Sequence, residues 1–534
     1  MAKRVLRLWP LWIFIAAVAV LPFRALPLGI HGEFAYRYMR YFLLEPVSLF
    51  FTFAPVVGII ATANLFLRKK DDIGQKEIGF GLGSLFVNSF LFHVACSVLL
   101  SPIGLAETFY HLLQRYGDGS YLLQALEIKD FVEFTQGLEQ DLSEPPKDFY
   151  PHRRTHPPGF ALIFFTLSKA FLYRLPLVLE FRSLLWDNSW SLREMLPPGM
   201  LDPAIVLPYT GTVCLAACLV WAAIALLPVP TYFLARLFLG RSHSMLVASF
   251  TCLLPGTHLF SPSTDQILPL AAAVVAFLGT AAVVKRSLVC ALLFGITFTL
   301  SLNLSVAILV CAGLFGFFLV ANLLRCRGND EEPCKSLGAY SIAITMRAGT
   351  GGAIIVGFLL LVFKMNLVKI VLLCLRNNEE FNTAVHRSYL PWLFVHPLET
   401  AYSIGIPLSI LIVCVIVNRI RRGDLLRNPV LDAFFLGVMA TIAVLGLSGV
   451  NRGEVGRLWM FLYPSLLVAM MVGLKRNKEV EAHKQLEDCV PAYDAFGPPE
   501  QFWLVVMAGQ AIQTVMMRLT IDAMGSVHSF SAVV

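Results

Sequence analysis

The chain has 534 residues, 57% of them hydrophobic and only 14% charged, with 42 Lys and Arg against 35 Asp and Glu for a net charge of +7. An ordinary soluble domain carries about 25% charge, so the polar residues are too few to coat a water-soluble particle of this size. The positive excess is too dilute for a nucleic-acid binder; a collagen, a disordered tail and a disulfide scaffold are excluded as well, which leaves an all-α polytopic membrane protein.

A membrane-spanning helix needs about 20 largely apolar residues. Lys3, Arg4 and Arg7 precede the first such run, 9–28, in the manner of a signal peptide. Arg24 and the membrane pattern beyond it predict an uncleaved first helix instead. Further runs lie at 43–66, 79–103, 157–177, 204–238, 245–262, 266–284, 287–325, 348–375, 396–418, 429–449, 458–474 and 500–519. The stretch 287–325 is long enough for two short helices with a turn near Asn303. The expectation is roughly 13–14 transmembrane helices. Residues 1–474 form the transmembrane domain, 475–499 a cytoplasmic linker, and 500–534 a last transmembrane helix and tail. No internal repeat is visible, which weighs against an inverted-repeat transporter.

Basic residues assign the sides. Arg68, Lys69, Lys70, Lys285, Arg286, the cluster 325–335, Arg419, Arg421, Arg422, Lys475 and Arg476 are placed in the cytoplasm. That puts 29–42, 104–156, 376–395 and 450–457 outside. Between 157 and 244 the scheme needs one or three crossings where two are obvious. Either 204–238 folds as a pair or 178–203 re-enters the membrane.

The extracytoplasmic loop 104–156 is the largest polar feature. Tyr121, Ala125, Ile128, Phe131 and Phe134 recur in it at helical spacing opposite Gln124, Glu127, Asp130 and Glu133. The pattern predicts an amphipathic helix in the interface plane, serving either as a cover or as part of a site. The loop opens its polar part with GDGSYLLQALEIKDF, containing Asp118, and closes on HRRTHPPG at 152–159. In the latter, His152, Arg153, Arg154 and His156 precede a Pro-Pro helix start, a position that suits proline and favours an anion. A carboxylate and a cationic helix entrance in one loop are what transfer from a lipid phosphate requires: a base for the attacking hydroxyl and positive charge for the leaving group. The competing reading has the arginines on lipid headgroups and Asp118 capping the next helix.

Four other strings carry polar groups. HGEFAYR at 31–37 places Glu33 among aromatics in the first outside loop; SPSTDQ at 261–266 places Asp265 at a helix boundary, where capping explains it. HRSYLPW at 386–392 is a polar aromatic loop, and in NRGEVGRLWMFLYP at 451–464 Arg452 and Arg457 flank Glu454, an arrangement that suits an ion-pair cluster. Most cysteines lie in apolar runs and pack as small hydrophobes; Cys326 and Cys334, with no second pair or His cluster, make a poor metal site. No metal or cofactor is expected.

In their order these motifs resemble the GT-C superfamily of membrane glycosyltransferases, in its family-39-like branch of protein-mannosyl- and aminoarabinose-transferases. The resemblance covers residues 80–285 and 451–464, with GDGSYLLQALEIKDF at the acidic motif and RRTHPPGFALIFF at the Pro-Pro entrance. Two features depart from the pattern: Asp118 stands alone where relatives often carry an adjacent acidic pair, and two extra spans precede the loop. The resemblance implies transfer of a sugar from a polyprenyl phosphate, usually with inversion, to a hydroxyl of a glycan, lipid or protein on the outer face of the plasma (inner) membrane. It makes Asp118 the base, or Glu33 if the equivalence is drawn at the first outside loop. Arg153, Arg154 and His156, helped by Arg452, would hold the donor phosphate, with His152, Asp265, Glu454 and Arg457 as further candidates and the prenyl chain between spans. Two other readings stay open: a flippase of lipid-linked glycans, with Lys364 and Lys369 as its membrane charges, and a glycan polymerase or ligase.

Overall fold

The computed structural model describes residues 14, 29–30, 33–38, 45–69, 72–101, 104–114, 117–144, 151–169, 210–326, 332–384, 386–422, 429–474 and 499–522. The expected first helix (apart from residue 14), the stretch 178–203, the linker 475–498 and the tail beyond 522 lie outside the described residues, as do the side chains of Cys326 and Cys334.

The protein is an all-α polytopic membrane protein. Among the described residues, eight helices are long and apolar enough to cross a membrane, and a pair bent by 119°, Tyr389–Ile404 with Ile406–Arg422, brings the number to nine if it counts as one span. The bend falls at Gly405, whose φ of 107° is open to glycine. At the centre, the helix Tyr463–Leu474 has every residue buried. It packs against Pro429–Ser448, Arg241–Thr251, Ile406–Arg422 and Pro228–Ala235.

Several apolar runs are divided by their backbone. The stretch 287–325 breaks after Leu302 as expected, and Leu309–Cys326 resumes beyond a short turn capped by the Ser305 hydroxyl. The run 245–262 is not one span: Leu254 is extended and Pro255 starts a new helix, giving the short pieces Arg241–Thr251 and Pro255–Leu259. The run 348–375 is not one span either. The helix Glu332–Phe363 stops at Lys364, which is left-handed at φ 55°, and Leu367–Ala384 follows. Lys369 pairs with Glu139 of the loop at 2.6 Å. In the described part of the run 204–238, Gly211–Ala235 is a single stretch long and apolar enough for one span.

The predicted interfacial helix is two helices, Gly119–Glu127 and Phe131–Ser143, separated where Asp130 caps the second by accepting from Glu133 N–H at 2.8 Å. Tyr121 and Ala125 of the first enter the protein core. Leu138 and Leu142 of the second are buried against Met365, Leu367 and Ile370. The apolar stripe therefore faces protein, and the loop is a packed cap on the bundle.

All four segments that the charge rule places on one side meet at one end of the bundle. Glu33 reaches Ser388, Arg387 reaches residues 452–454, and the loop around residue 142 meets Asn377. Arg37–Tyr38 pairs with Ile521–Asp522 at the end of the last helix, in agreement with the same alternation.

Candidate functional site

The site begins at a tight turn. Gly117 N–H donates to the Gln114 carbonyl at 2.9 Å and the Ser120 hydroxyl to the Gly117 carbonyl at 2.8 Å. Gly119 has no room for a side chain, since a Cβ there would stand 2.6 Å from the Leu113 carbonyl oxygen. Asp118, between them, makes no side-chain cap to the helix it precedes. Its carboxylate turns inward, 2% exposed, and accepts from Thr264 N–H at 2.8 Å and from the Thr264 hydroxyl at 2.7 Å. GDGS and SPSTD, far apart in sequence, are thus one structural unit.

Next to Thr264, Asp265 borders a cavity of about 250 Å³. Thr155, His156, Ser305, Asn378, Asn451 and Arg457 also line it, together with Leu268, Leu309, Val310, Leu375 and Leu445. Arg457 links two acids, standing 3.4 Å from Asp265 and 2.8 Å from Glu454. Arg387 in turn holds Glu454 at 3.0 Å and donates to the Arg452 carbonyl at 2.6 Å. The turn that places these groups uses left-handed backbone at Gly449, Gly453 and Glu454, and Glu399 fixes its far end by accepting from Val455 N–H at 2.9 Å. The Pro-Pro entrance is anchored at Gly159, whose N–H donates to the Asn303 carbonyl at 2.8 Å and whose Cα packs too close to that oxygen for a Cβ. This anchor brings His156 to the cavity wall, its ring edge-on to Tyr121 at 6.0 Å and its Nδ1 3.0 Å from the Thr155 hydroxyl.

Burial, and then the neighbouring charge of Asp265, push the Asp118 carboxyl up from 3.8 to about 6, against the opposing pull of the Thr264 hydrogen bonds and Arg457. Two carboxylates held together in a water-poor site are a common way to set a proton acceptor near neutrality.

The two proposed bases have different surroundings. Glu33 accepts from Ser388 N–H at 2.8 Å, the Ser388 hydroxyl at 2.5 Å and the Trp392 indole at 2.7 Å. Burial raises its carboxyl, but these bonds and Arg387 outweigh that and hold it below its ordinary value. Glu33 sits at the start of the helix Tyr389–Ile404 and fastens the first loop to it.

The proposed phosphate ligands also separate. His156 borders the cavity. Arg153 is paired with Glu127 on the surface, and Arg154 donates to the carbonyls of Leu142 (3.2 Å) and Glu144 (2.6 Å). His152 lies in the short helix Pro151–Thr155. Arg452 donates to the carbonyls of Gly449 and Arg387 and stands over the Tyr389 ring, away from the cavity lining. Of the two arginines in this string, Arg457 lines the cavity and Arg452 does not. Asp265, for which capping was the expected role, faces the cavity; Ser263 stands at the cap position of its short helix.

Three contributors escape a linear reading. Thr264 looks like a turn residue until Asp118 is seen on it. Arg387 belongs to a loop of low specificity, and Glu399 lies inside an apolar run. Only the excess of polar groups in NRGEVGR hinted that partners of opposite charge lay elsewhere in the chain. No protein-family model matches the chain, and no curated protein matches it.

Proposed function

We propose that the chain is a membrane glycosyltransferase that moves a sugar from a polyprenyl phosphate to an acceptor hydroxyl at this cavity. The observation that carries the reading is that Asp265, His156 and Arg457 line one cavity together with many apolar side chains, with Asp118 held behind Asp265 by its hydrogen bonds to Thr264. Such a cavity suits an amphiphile with a reactive head. In the reaction the acceptor oxygen forms a bond to the anomeric carbon from the face opposite the phosphate. Its proton passes to the carboxylate pair, with Asp265 at the wall and Asp118 behind it. The bond from the anomeric carbon to the phosphate oxygen breaks, and polyprenyl phosphate leaves with the electron pair. Arg457 and His156 face the charge that grows on that oxygen. The lipid chain lies along Leu268, Leu309 and Val310. The outer face of the plasma membrane is the side that the basic loops favour.

The test is release of polyprenyl phosphate from a labelled polyprenyl-phosphate sugar by the protein in liposomes. Arg457→Lys keeps the charge but loses the two-pronged geometry, and is expected to cost about tenfold to a hundredfold in turnover, the worth of one charge-assisted contact. The double variant Arg153→Ala, Arg154→Ala is expected to stay within about fivefold of wild type, because Arg153 makes a surface pair and Arg154 serves the loop backbone. The reverse ranking moves the donor site to the HRRTH cluster. Movement of the intact lipid across the bilayer without cleavage supports the flippase reading instead.

A further inference from the structure

A second cavity lies in the apolar zone. It has a volume of about 360 Å³ and lies between the bent pair Tyr389–Ile404 and Ile406–Arg422, the helix Pro429–Ser448 and the segment after Glu454. It is separate from the first cavity: Leu445, Leu458 and Met460 face the first, whereas Ile442, Gly446 and Trp459 face the second. Among the described residues its walls carry no Lys, Arg, Asp or Glu. They do carry four hydrogen-bonding side chains, of which the Ser409 hydroxyl donates to the Ala401 carbonyl at 3.1 Å; the other three are His396, Trp459 and Thr400. His396 is 3% exposed and Trp459 4%, with their rings 5.7 Å apart, and Thr400 stands one helical turn from His396. Neither ring nitrogen of His396, nor the Trp459 Nε1–H, nor the Thr400 hydroxyl has a hydrogen-bond partner in the protein among the described residues.

Buried polar groups in hydrocarbon are costly unless paired, and these three converge on one apolar groove. The indole is a donor only, so what it meets must accept. The imidazole and the hydroxyl can each donate as well. With no cation on the walls, a phosphate or carboxylate does not belong here. An ester carbonyl does, because it accepts two hydrogen bonds and brings no proton or charge into the bilayer. Depth agrees with this. Ser388 stands at the start of the helix beside the charged Glu33–Arg387 cluster, and His396 follows eight residues on, at most about 12 Å deeper at 1.5 Å per residue. That is the neighbourhood of the boundary between headgroups and chains. We infer that this groove holds an acyl chain of a bilayer glycerolipid, with its ester carbonyl hydrogen-bonded by Trp459 and by His396 or Thr400. The inference does not depend on glycosyl transfer.

The experiment compares a diacyl phosphatidylglycerol with its dialkyl analogue, which has the same headgroup and chain length but no carbonyls. Lipid retained by the full-length protein after detergent extraction is measured by native mass spectrometry. Wild type is expected to retain the diacyl lipid roughly tenfold better, as the loss of two neutral hydrogen bonds implies. Trp459→Phe, which removes only the N–H donor, and His396→Leu are each expected to shrink that preference. Equal retention of the two lipids by wild type overturns the inference whether or not the variants fold. So does a preference that survives both substitutions, or displacement of the diacyl lipid by polyprenyl phosphate at equal concentration.

Discussion

Asp265→Asn is expected to lower turnover by about 10²–10⁴-fold while the protein still folds and inserts. The magnitude follows from the chemistry: an acceptor hydroxyl is too weak an acid to attack unaided, and Asp265 is the carboxylate that borders the cavity beside Arg457. The amide keeps the shape of the side chain and removes its basicity. Arg457 retains Glu454 as a partner at 2.8 Å, so no buried guanidinium is stranded. Turnover should be measured per folded molecule, with donor binding followed separately. Near-normal turnover with bound donor would remove Asp265 from the reaction and leave it as a tie to Arg457.

Asp118→Asn is expected to separate binding, turnover and stability. In the folded protein its carboxyl is raised to about 6, from 3.8, by burial and by Asp265. Between these two values the folded state holds more protons than the unfolded state, so stability falls as pH rises through that window. At neutral pH the ionised group costs on the order of 2–3 kcal/mol. Asparagine avoids that cost and keeps both contacts, accepting from Thr264 N–H and donating to the Thr264 hydroxyl. The variant is therefore expected to melt at or above the wild-type temperature at pH 7, an advantage that disappears toward pH 4. Turnover goes the other way, dropping by a factor comparable to that of Asp265→Asn. Asp118, Asp265 and Glu454 face Arg457 and Arg387, so the cluster is net negative toward an anionic donor. In wild type, donor affinity should thus rise as pH is lowered toward 6 while kcat declines; in the variant, affinity should be higher and less dependent on pH. A variant less stable than wild type at pH 7 would show that the Thr264 contacts need the carboxylate.

The fold class was legible because a chain with 14% charge and continuous apolar runs of about 20 residues satisfies its backbone in a bilayer as helices, a barrel requiring short alternating segments instead. The divisions of the spans were less so. Periodicity does not reveal that Lys364 takes a left-handed backbone or that Pro255 starts a helix, since the apolar pattern runs on across both breaks. The candidate site was half legible. GDGS, HPPG, SPSTD and NRGEVGR stand out as polar strings in apolar sequence; the structure brings residues of the last three to one cavity and ties GDGS to it through Asp118 and Thr264. What each residue does there depends on side-chain direction. Asp118 could cap its helix or turn inward, and Thr264 decides it. Arg452 and Arg457 are equivalent in sequence, yet the left-handed backbone at Gly453 and Glu454 between them sends one to backbone carbonyls and the other to the cavity. Glu33 reads as well as Asp118 for a base until Ser388 and Trp392, over 350 residues away, are found on its carboxylate.

The central claim is that the cavity bordered by Asp265 and Arg457 receives a lipid phosphate. Its most direct test is photo-crosslinking with a polyprenyl phosphate that carries a diazirine in its first isoprene unit, followed by peptide mapping. The geometry predicts label on residues 305–310, beside Asp265 and His156, and loss of that label when unlabelled polyprenyl-phosphate sugar competes. Label confined to 393–416, in the second groove, or unaffected by the competitor, would contradict it.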